Sequence, residues 1–473
     1  MRASRAAGVA EEVPARGRLH SRPLLLVAFA FAVMADPVSS VAYAVEAALR
    51  ALHGDLALLI PTMALVVAII ALVIVNYQQL IGRYPRGGGA AAAAGDAFGE
   101  SWAFVPIGAL IVDFVLTIAI SVSAGASALI AYVPGLAPWR LLLALGLVVL
   151  VGGLTWFGHL GRLFFAVLTV AFIAVATLVL GFGLSAAPRP TGTITHTPGH
   201  EAFVAVALAF PVAMALATGV EAPSSAIAQL GQLDDAGRRR FGRVTLWLTL
   251  GIVGTITLGL AIEAHRLRIG VPPIDKTQIS ELARVASPGP VFALFQLLTA
   301  LLLLSAASSS FQAGPGLLKA LARHTRGDGH DYGILPRSWG HTNAHHTPYW
   351  GVVLFIAVSA AVVTAAGGQD QELVLFYAVA VFMSFLAGLL AMARFARAER
   401  RAGSLLLNVV GAAVVSFTLV VNLARGLPLA SLAAALLVAG LLYWVWARAG
   451  RPRGISEVAA EAEAEAGDED EDE

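Results

Sequence analysis

Two runs of this sequence place an acid, a proline and a pair of serines inside otherwise apolar stretches. One is Asp36, Pro37, Val38, Ser39, Ser40, Val41, Ala42 and Tyr43; the other is Thr218, Gly219, Val220, Glu221, Ala222, Pro223, Ser224 and Ser225. Carboxylate, hydroxyl, phenol and freed backbone carbonyl are all oxygen donors, the set that hard cations prefer. An acid in a bilayer core costs about 2.5 to 3.5 kcal/mol on insertion scales, so it marks a pathway or a binding site more often than a buried hydrogen bond of no further consequence. In a third run Asp113, Thr117 and Ser121 are spaced by four and share one helix face, with Ser123 close by. That face lines a pathway or joins helices by hydrogen bonds, and spacing does not choose between the two.

The elements that position these groups follow from composition. Of the 473 residues 58% are hydrophobic and 13% charged, too much apolar surface for a soluble fold to hide. A spanning helix needs about 20 mainly apolar residues. Candidates fall at 23–49, 56–81, 101–132, 140–157, 160–184, 203–232, 244–265, 288–322, 349–367, 371–396, 403–424 and 428–448, which makes about twelve spans by that criterion. Counted from Arg22, Asp36 lies roughly 20 Å into the membrane, too deep for an interfacial cap. A straight helix from Ala202 to Arg238 would run roughly 55 Å against a hydrocarbon core of roughly 30 Å, so the sixth span must break near Glu221. Pro37 breaks the first by removing a backbone N–H. If five helices form one repeat, an odd number inverts its copy, and breaks in spans one and six are what an inverted-repeat architecture requires. Tyr377 sits only about 9 Å past Gln371, where an aromatic-belt position is the simpler reading.

Arginine placement sets the orientation. Arg83 and Arg86, Arg162, Arg238 to Arg243, Lys319 to Arg337 and Arg394 to Arg401 fall in alternate loops, expected to be cytoplasmic. The connection with Arg266, Arg268, Lys276 and Arg284 departs from this pattern. Residues 1–22 form a basic N-terminal tail, 23–449 the transmembrane domain and 450–473 a C-terminal tail. The tract from Glu457 to Glu473 cannot bury a core and is expected to be disordered, with no soluble domain after the last helix. Both termini are expected in the cytoplasm, with the chain in the cytoplasmic membrane.

Several chemistries are excluded. Without cysteine there is no disulfide, thiolate metal site or cysteine nucleophile. Tyr84 to Gly89 lacks the Gly-Lys-Ser/Thr ending of a phosphate loop, so no ATP site is expected. His341, His345 and His346 lie in a polar loop without carboxylates at ligand spacing. No Ser/His/Asp grouping supports catalysis, no cofactor is implied, and the scattered charge gives no nucleic-acid face.

Taken together, these runs resemble the amino acid-polyamine-organocation (APC) superfamily. Tyr84-Pro85-Arg86-Gly87-Gly88-Gly89 is similar to its Y-P-x-G-G-G signature after helix two. Asp36 to Tyr43, Asp113 to Gly125, Thr218 to Ala222 and Tyr377 to Phe385 are similar to runs of proton-coupled potassium importers of the KimA and Kup type. The resemblance implies a LeuT-like core of two inverted five-helix repeats, about 23–184 and 203–396, with peripheral helices at about 403–448. It implies a potassium pathway lined by Asp36, Tyr43, Thr117, Ser121, Thr218 and Tyr377, proton coupling at Glu221, and helix breaks at Pro37, Gly219 and Pro223. Asp113 matches its motif without an assigned role. Phe114 stands where the motif has tyrosine, and no nucleotide-binding regulatory domain is expected.

The cargo implied is potassium with protons, across a lipid bilayer, and a homodimer is compatible with this. An amino acid or polyamine permease is the alternative, with Asp36 on a substrate ammonium; a sensor that retains a transporter fold is a third reading. Against a carboxylate substrate, an ionised Asp36 would repel it and Pro37 has no N–H to offer.

Overall fold

The computed structural model describes residues 23–158, 162–227, 230, 233–325, 331–426, 428–452 and 454–455. The basic N-terminal tail, the acidic tract and the end of the expected sixth span at 228–229 and 231–232 lie outside them. The fold is the all-helical membrane architecture expected. Ten helices among the described residues are long and apolar enough to cross a bilayer. The other two expected spans are the interrupted run from Pro23 to Ala51 and the 17-residue helix Tyr349–Ala365.

The first run comprises α1 (Pro23–Val33), α2 (Ala35–Ser39) and α3 (Val41–Ala51), then come α4 (Leu56–Arg83) and α5 (Gly89–Phe98). Next are α6 (Phe104–Tyr132), α7 (Arg140–Trp156) and α8 (Arg162–Gly183). The broken sixth span holds α9 (Ala202–Ala213), a 3-10 turn at Met214–Ala217 and α10 (Ala222–Ala226). Then follow α11 (Asp235–Leu267), α12 (Gln278–Ala286), α13 (Gly289–Ala320), α14 (Tyr349–Ala365), α15 (Asp370–Ala398), α16 (Ala402–Leu423) and α17 (Leu429–Arg448). A two-residue antiparallel pairing, β1 (His324–Thr325) with β2 (Asp331–Tyr332), lies between α13 and α14.

Local chemistry accounts for the ends. Asp55 caps α4 by accepting the Ala57 N–H at 2.9 Å, and Asp234 caps α11 through Gly237 at 2.8 Å. Thr277 and Ser280 form a reciprocal capping box on α12. The core runs through α3, α4, α6, α13 and α15, while lipid-facing positions stay apolar and open, such as Phe203 and Leu437. Three of the four basic residues that break the arginine pattern have nearby acids: Arg266 pairs with Glu263 at 2.9 Å, Lys276 with Glu281 at 3.1 Å, and Arg284 also with Glu281.

The glycine-rich turn has a structural job. Gly87, Gly88 and Gly89 all hold positive φ, at 94°, 89° and 44°, a conformation L side chains enter at a cost of roughly 1–2 kcal/mol per residue. The bend starts α5, a buried alanine helix packed between α6 and α15. The sequence reading has no such helix, because ten residues are too few to register as a span.

The helix breaks are only partly where the sequence places them. α1 ends at Val33, the residue whose carbonyl would accept a bond from the N–H that Pro37 lacks. Pro37 itself lies inside α2, and the bends fall at Met34 and Ser40. Gly219 does sit in the break, with φ +69°. Pro223 does not: it is the second residue of α10, where a proline without an N–H is tolerated. Pro223→Ala is accordingly expected to change the melting temperature little, by an amount equivalent to less than about 1 kcal/mol, measured by thermal unfolding in detergent.

Candidate functional site

The two breaks meet at the centre of the bundle. A Cβ built on Gly219 would stand 2.6 Å from Asp36 Oδ2 and 2.9 Å from Pro37 Cδ, so the bare glycine backbone lies directly against the acid. Ser40 Oγ ties the two spans together, donating to the Leu216 carbonyl at 3.1 Å and to that of Pro37 at 2.7 Å. Ser39 Oγ takes up the Asp36 carbonyl at 2.7 Å. The first span is thus interrupted at Met34 and Ser40 with both residues still in the right-handed helical region, so it is not unwound, and the Ser40 hydroxyl holds the Pro37 carbonyl at the second interruption.

Around this junction the phenols and threonines pair across spans. Tyr43 donates its hydroxyl to Thr218 Oγ1 at 3.3 Å, and Thr218 in turn donates to the Ala215 carbonyl at 2.6 Å. Thr117 donates to the Tyr377 hydroxyl at 3.2 Å. Tyr377 also faces the carboxyl group of Asp113. Tyr43, Thr117, Ser121, Thr218 and Tyr377 are all buried. Tyr377 is therefore a core residue and no belt aromatic: α15 starts at a buried Asp370, so distance from the helix start does not measure distance from water. The face of Asp113, Thr117, Ser121 and Ser123 is wholly buried.

Three acids converge here. Asp36 and Glu221 both lie within electrostatic range of Asp113, and of one another. Asp36 Oδ1, Asp113 Oδ1 and Glu221 Oε2 are buried and have no hydrogen-bond partner among the described residues. None of the ion pairs found among those residues involves any of the three. Buried charge normally comes paired. A carboxyl cluster with no Lys or Arg counter-charge can reach charge balance only through mobile cations or protons.

A cavity of about 1360 Å³ lies where α3 ends and α15 begins. Glu46, Arg50, Ser127, Arg140, Asp370 and Gln371 line it. Arg140 donates to Ser127 Oγ at 2.7 Å, Ser127 to Asp370 Oδ1 at 2.7 Å, and Gln371 Nε2 to Asp370 Oδ2 at 2.9 Å. Gln371 Nε2 also reaches the carbonyl of Tyr43 at 3.4 Å, joining the cavity floor to the central site. The sequence reading does not single these residues out. Glu46, buried in the first span, carries the same signal as Asp36, an acid in an apolar run; Ser127, Arg140 and Asp370 carry none until the fold joins them. His341, His345 and His346 stay in a loop, and the described residues hold no group of three His, Asp or Glu arranged for a metal.

Comparison with known proteins places these observations. The family model for amino acid permeases matches residues 24–446. The potassium transporter KimA of Bacillus subtilis (strain 168) is 28% identical over 365 residues, covering 74% of this chain and 58% of that protein. The chain therefore spans less than two thirds of that relative's length. Among solved structures, two mutant forms of the manganese transporter of Eremococcus coleocola align over 91% of this chain and 96% of theirs, at 15% identity and a TM-score of 0.49.

Proposed function

We propose, on the premise that the chain belongs to the amino acid permease family and is a secondary membrane transporter rather than an enzyme, that its cargo is potassium, taken up together with protons. The observation that carries this is the cluster of Asp36, Asp113 and Glu221, three buried acids with unpaired oxygens at the junction of two broken spans. A potassium ion would be held by oxygens from Asp36, Tyr43, Thr117, Ser121, Thr218 and Tyr377. Glu221, in the sixth span beside the break, would take a proton from the outer side and release it inside, so that cation and proton enter together. The chain would sit in the cytoplasmic membrane with both termini inside, on the argument from arginine-rich loops.

The family also favours a second cargo, an amino acid or polyamine, with Asp36 on an ammonium group. An incoming carboxylate meets three acids, a proline without an N–H and a backbone approach already occupied by Gly219. That environment suits an ammonium or a bare cation and disfavours an amino acid zwitterion. Uptake of rubidium as a potassium tracer, in parallel with radiolabelled amino acids and putrescine, separates the two. Amino acid or polyamine uptake that survives removal of potassium would overturn the potassium reading.

Two consequences are specific to named groups. Glu221→Gln holds the position in an uncharged form resembling the protonated acid. Uptake by the unaltered chain should rise as external pH falls, because a larger share of the coupling acid is protonated on the outer face. In Glu221→Gln that dependence should vanish, while exchange of rubidium for potassium across a membrane without a pH gradient persists; a pH series in proteoliposomes reads both. Tyr43→Phe removes a neutral hydrogen bond worth about 1 kcal/mol. It should raise the apparent KM for rubidium roughly fivefold and leave the maximal rate nearly unchanged, as measured by initial rates.

A further inference from the structure

The end of the chain is fastened to the bundle before the acidic tract begins. Glu100, in the 3-10 turn between α5 and α6, accepts the N–H of Gly454 at 2.9 Å with one oxygen and that of Ile455 at 3.2 Å with the other. Ile455 is 1% exposed and packs among Phe104, Ile107, Leu321 and Ile334, while Trp446 donates its indole N–H to the Pro452 carbonyl at 2.8 Å. This anchor fixes where the following segment starts. From Glu457 to Glu473 that segment carries ten acidic side chains and no basic one.

The exit lies between two basic helix ends. Leu321, in the same cluster as Ile455, is two residues from the exposed Arg323, which stands three residues past the end of α13. On the other side, Glu100 is two residues from Phe98, and the guanidinium of Arg394 lies 5.3 Å from the centre of that ring. Arg394 and Arg397 are exposed near the end of α15, and the ion pairs found there, Arg83 and Arg401 with Glu399, leave both out. A chain covers at most about 3.3–3.6 Å per residue, so the 18 residues after Ile455 have a maximal reach of roughly 60 Å.

We propose that the acidic tract Glu457–Glu473 docks in cis on the basic face formed by Arg323, Arg394 and Arg397. The anchor at Glu100 keeps the tract at high local concentration beside that face, which makes even weak surface pairs additive. α15 also carries Tyr377 in the central site, so the docked tract would hold the end of a helix that lines the cation path.

The chain has no cysteine, so two labels can be introduced without background. Ala466→Cys in the tract and Ala398→Cys at the end of α15 would be spin-labelled in the full chain, held in nanodiscs of phosphatidylcholine with and without phosphatidylglycerol. The expected result at low salt is one narrow distance band in both lipids. It should be lost in about 1 M salt, where the screening length falls to about 3 Å. Arg394→Gln with Arg397→Gln should remove it as well, and so should Asp468→Asn, Asp470→Asn and Asp472→Asn together. A distribution broad from the outset, or a narrow band indifferent to salt and to these substitutions, would overturn the proposal. So would a band present in neutral lipid but abolished by phosphatidylglycerol, which would assign the arginines to the anionic bilayer.

Discussion

Asp36→Asn is expected to lower rubidium uptake by about 100-fold or more while the protein stays folded. The carboxylate belongs to the interrupted first span and lies against Gly219 in the break of the sixth. Removing one partner of a buried charge pair costs about 3–5 kcal/mol, and each 1.4 kcal/mol is roughly tenfold in affinity. The substitution keeps the shape and removes only the charge, so the loss should appear in transport and cation binding and not in the melting temperature. Asp36 makes no ion pair found among the described residues, and its Oδ1 is unpartnered there. Neutralising it should therefore stabilise the cation-free protein slightly. A drop in stability together with a drop in uptake would mean that Asp36 is structural.

Gly219→Ala is expected to have the second largest effect, by a different route. At φ +69° a side chain already costs roughly 1–2 kcal/mol. Its methyl group would then stand 2.6 Å from the Asp36 carboxylate and 2.9 Å from Pro37, closer than any real contact allows. Either the break in the sixth span shifts or Asp36 is pushed out of place. Both stability and uptake should fall, uptake by at least about tenfold, since displacing a positioned group by about 1 Å can cost as much as 100-fold in function. Gly251→Ala in α11 is the matched control: a Cβ there meets nothing within 4 Å, and alanine in a helix is favoured over glycine by about 0.5–1 kcal/mol. Equal loss in both variants would remove the argument from the close approach.

The spans were readable from sequence because a bilayer asks for long apolar runs, and the expected ends mostly fall within a few residues of those found, as at Leu56–Arg83 and Arg140–Trp156. The breaks were readable too, from an acid too deep to be interfacial and a sixth span too long to be straight. Their exact positions were not. Pro37 acts at a distance of four residues, ending α1 at Val33, and Pro223 starts a helix instead of stopping one. Tyr377 could not be placed by counting from Gln371, because the start of α15 is itself buried. The chain from Arg140 through Ser127 and Asp370 to Gln371 joins residues up to 243 positions apart, and no local pattern announces it. Periodicity and depth report single helices; which helices face one another is decided by packing of all of them.

In the proposed cycle the carboxyl cluster at the two breaks carries a monovalent cation with a proton. Purified protein in proteoliposomes, loaded with a pH-sensitive dye and given an inward proton gradient, tests it most directly by following rubidium entry and internal acidification together. Rubidium should accumulate only when the gradient is present, with acidification that needs rubidium or potassium outside. Acidification driven by an amino acid in the complete absence of potassium, or rubidium entry indifferent to the gradient, would contradict it.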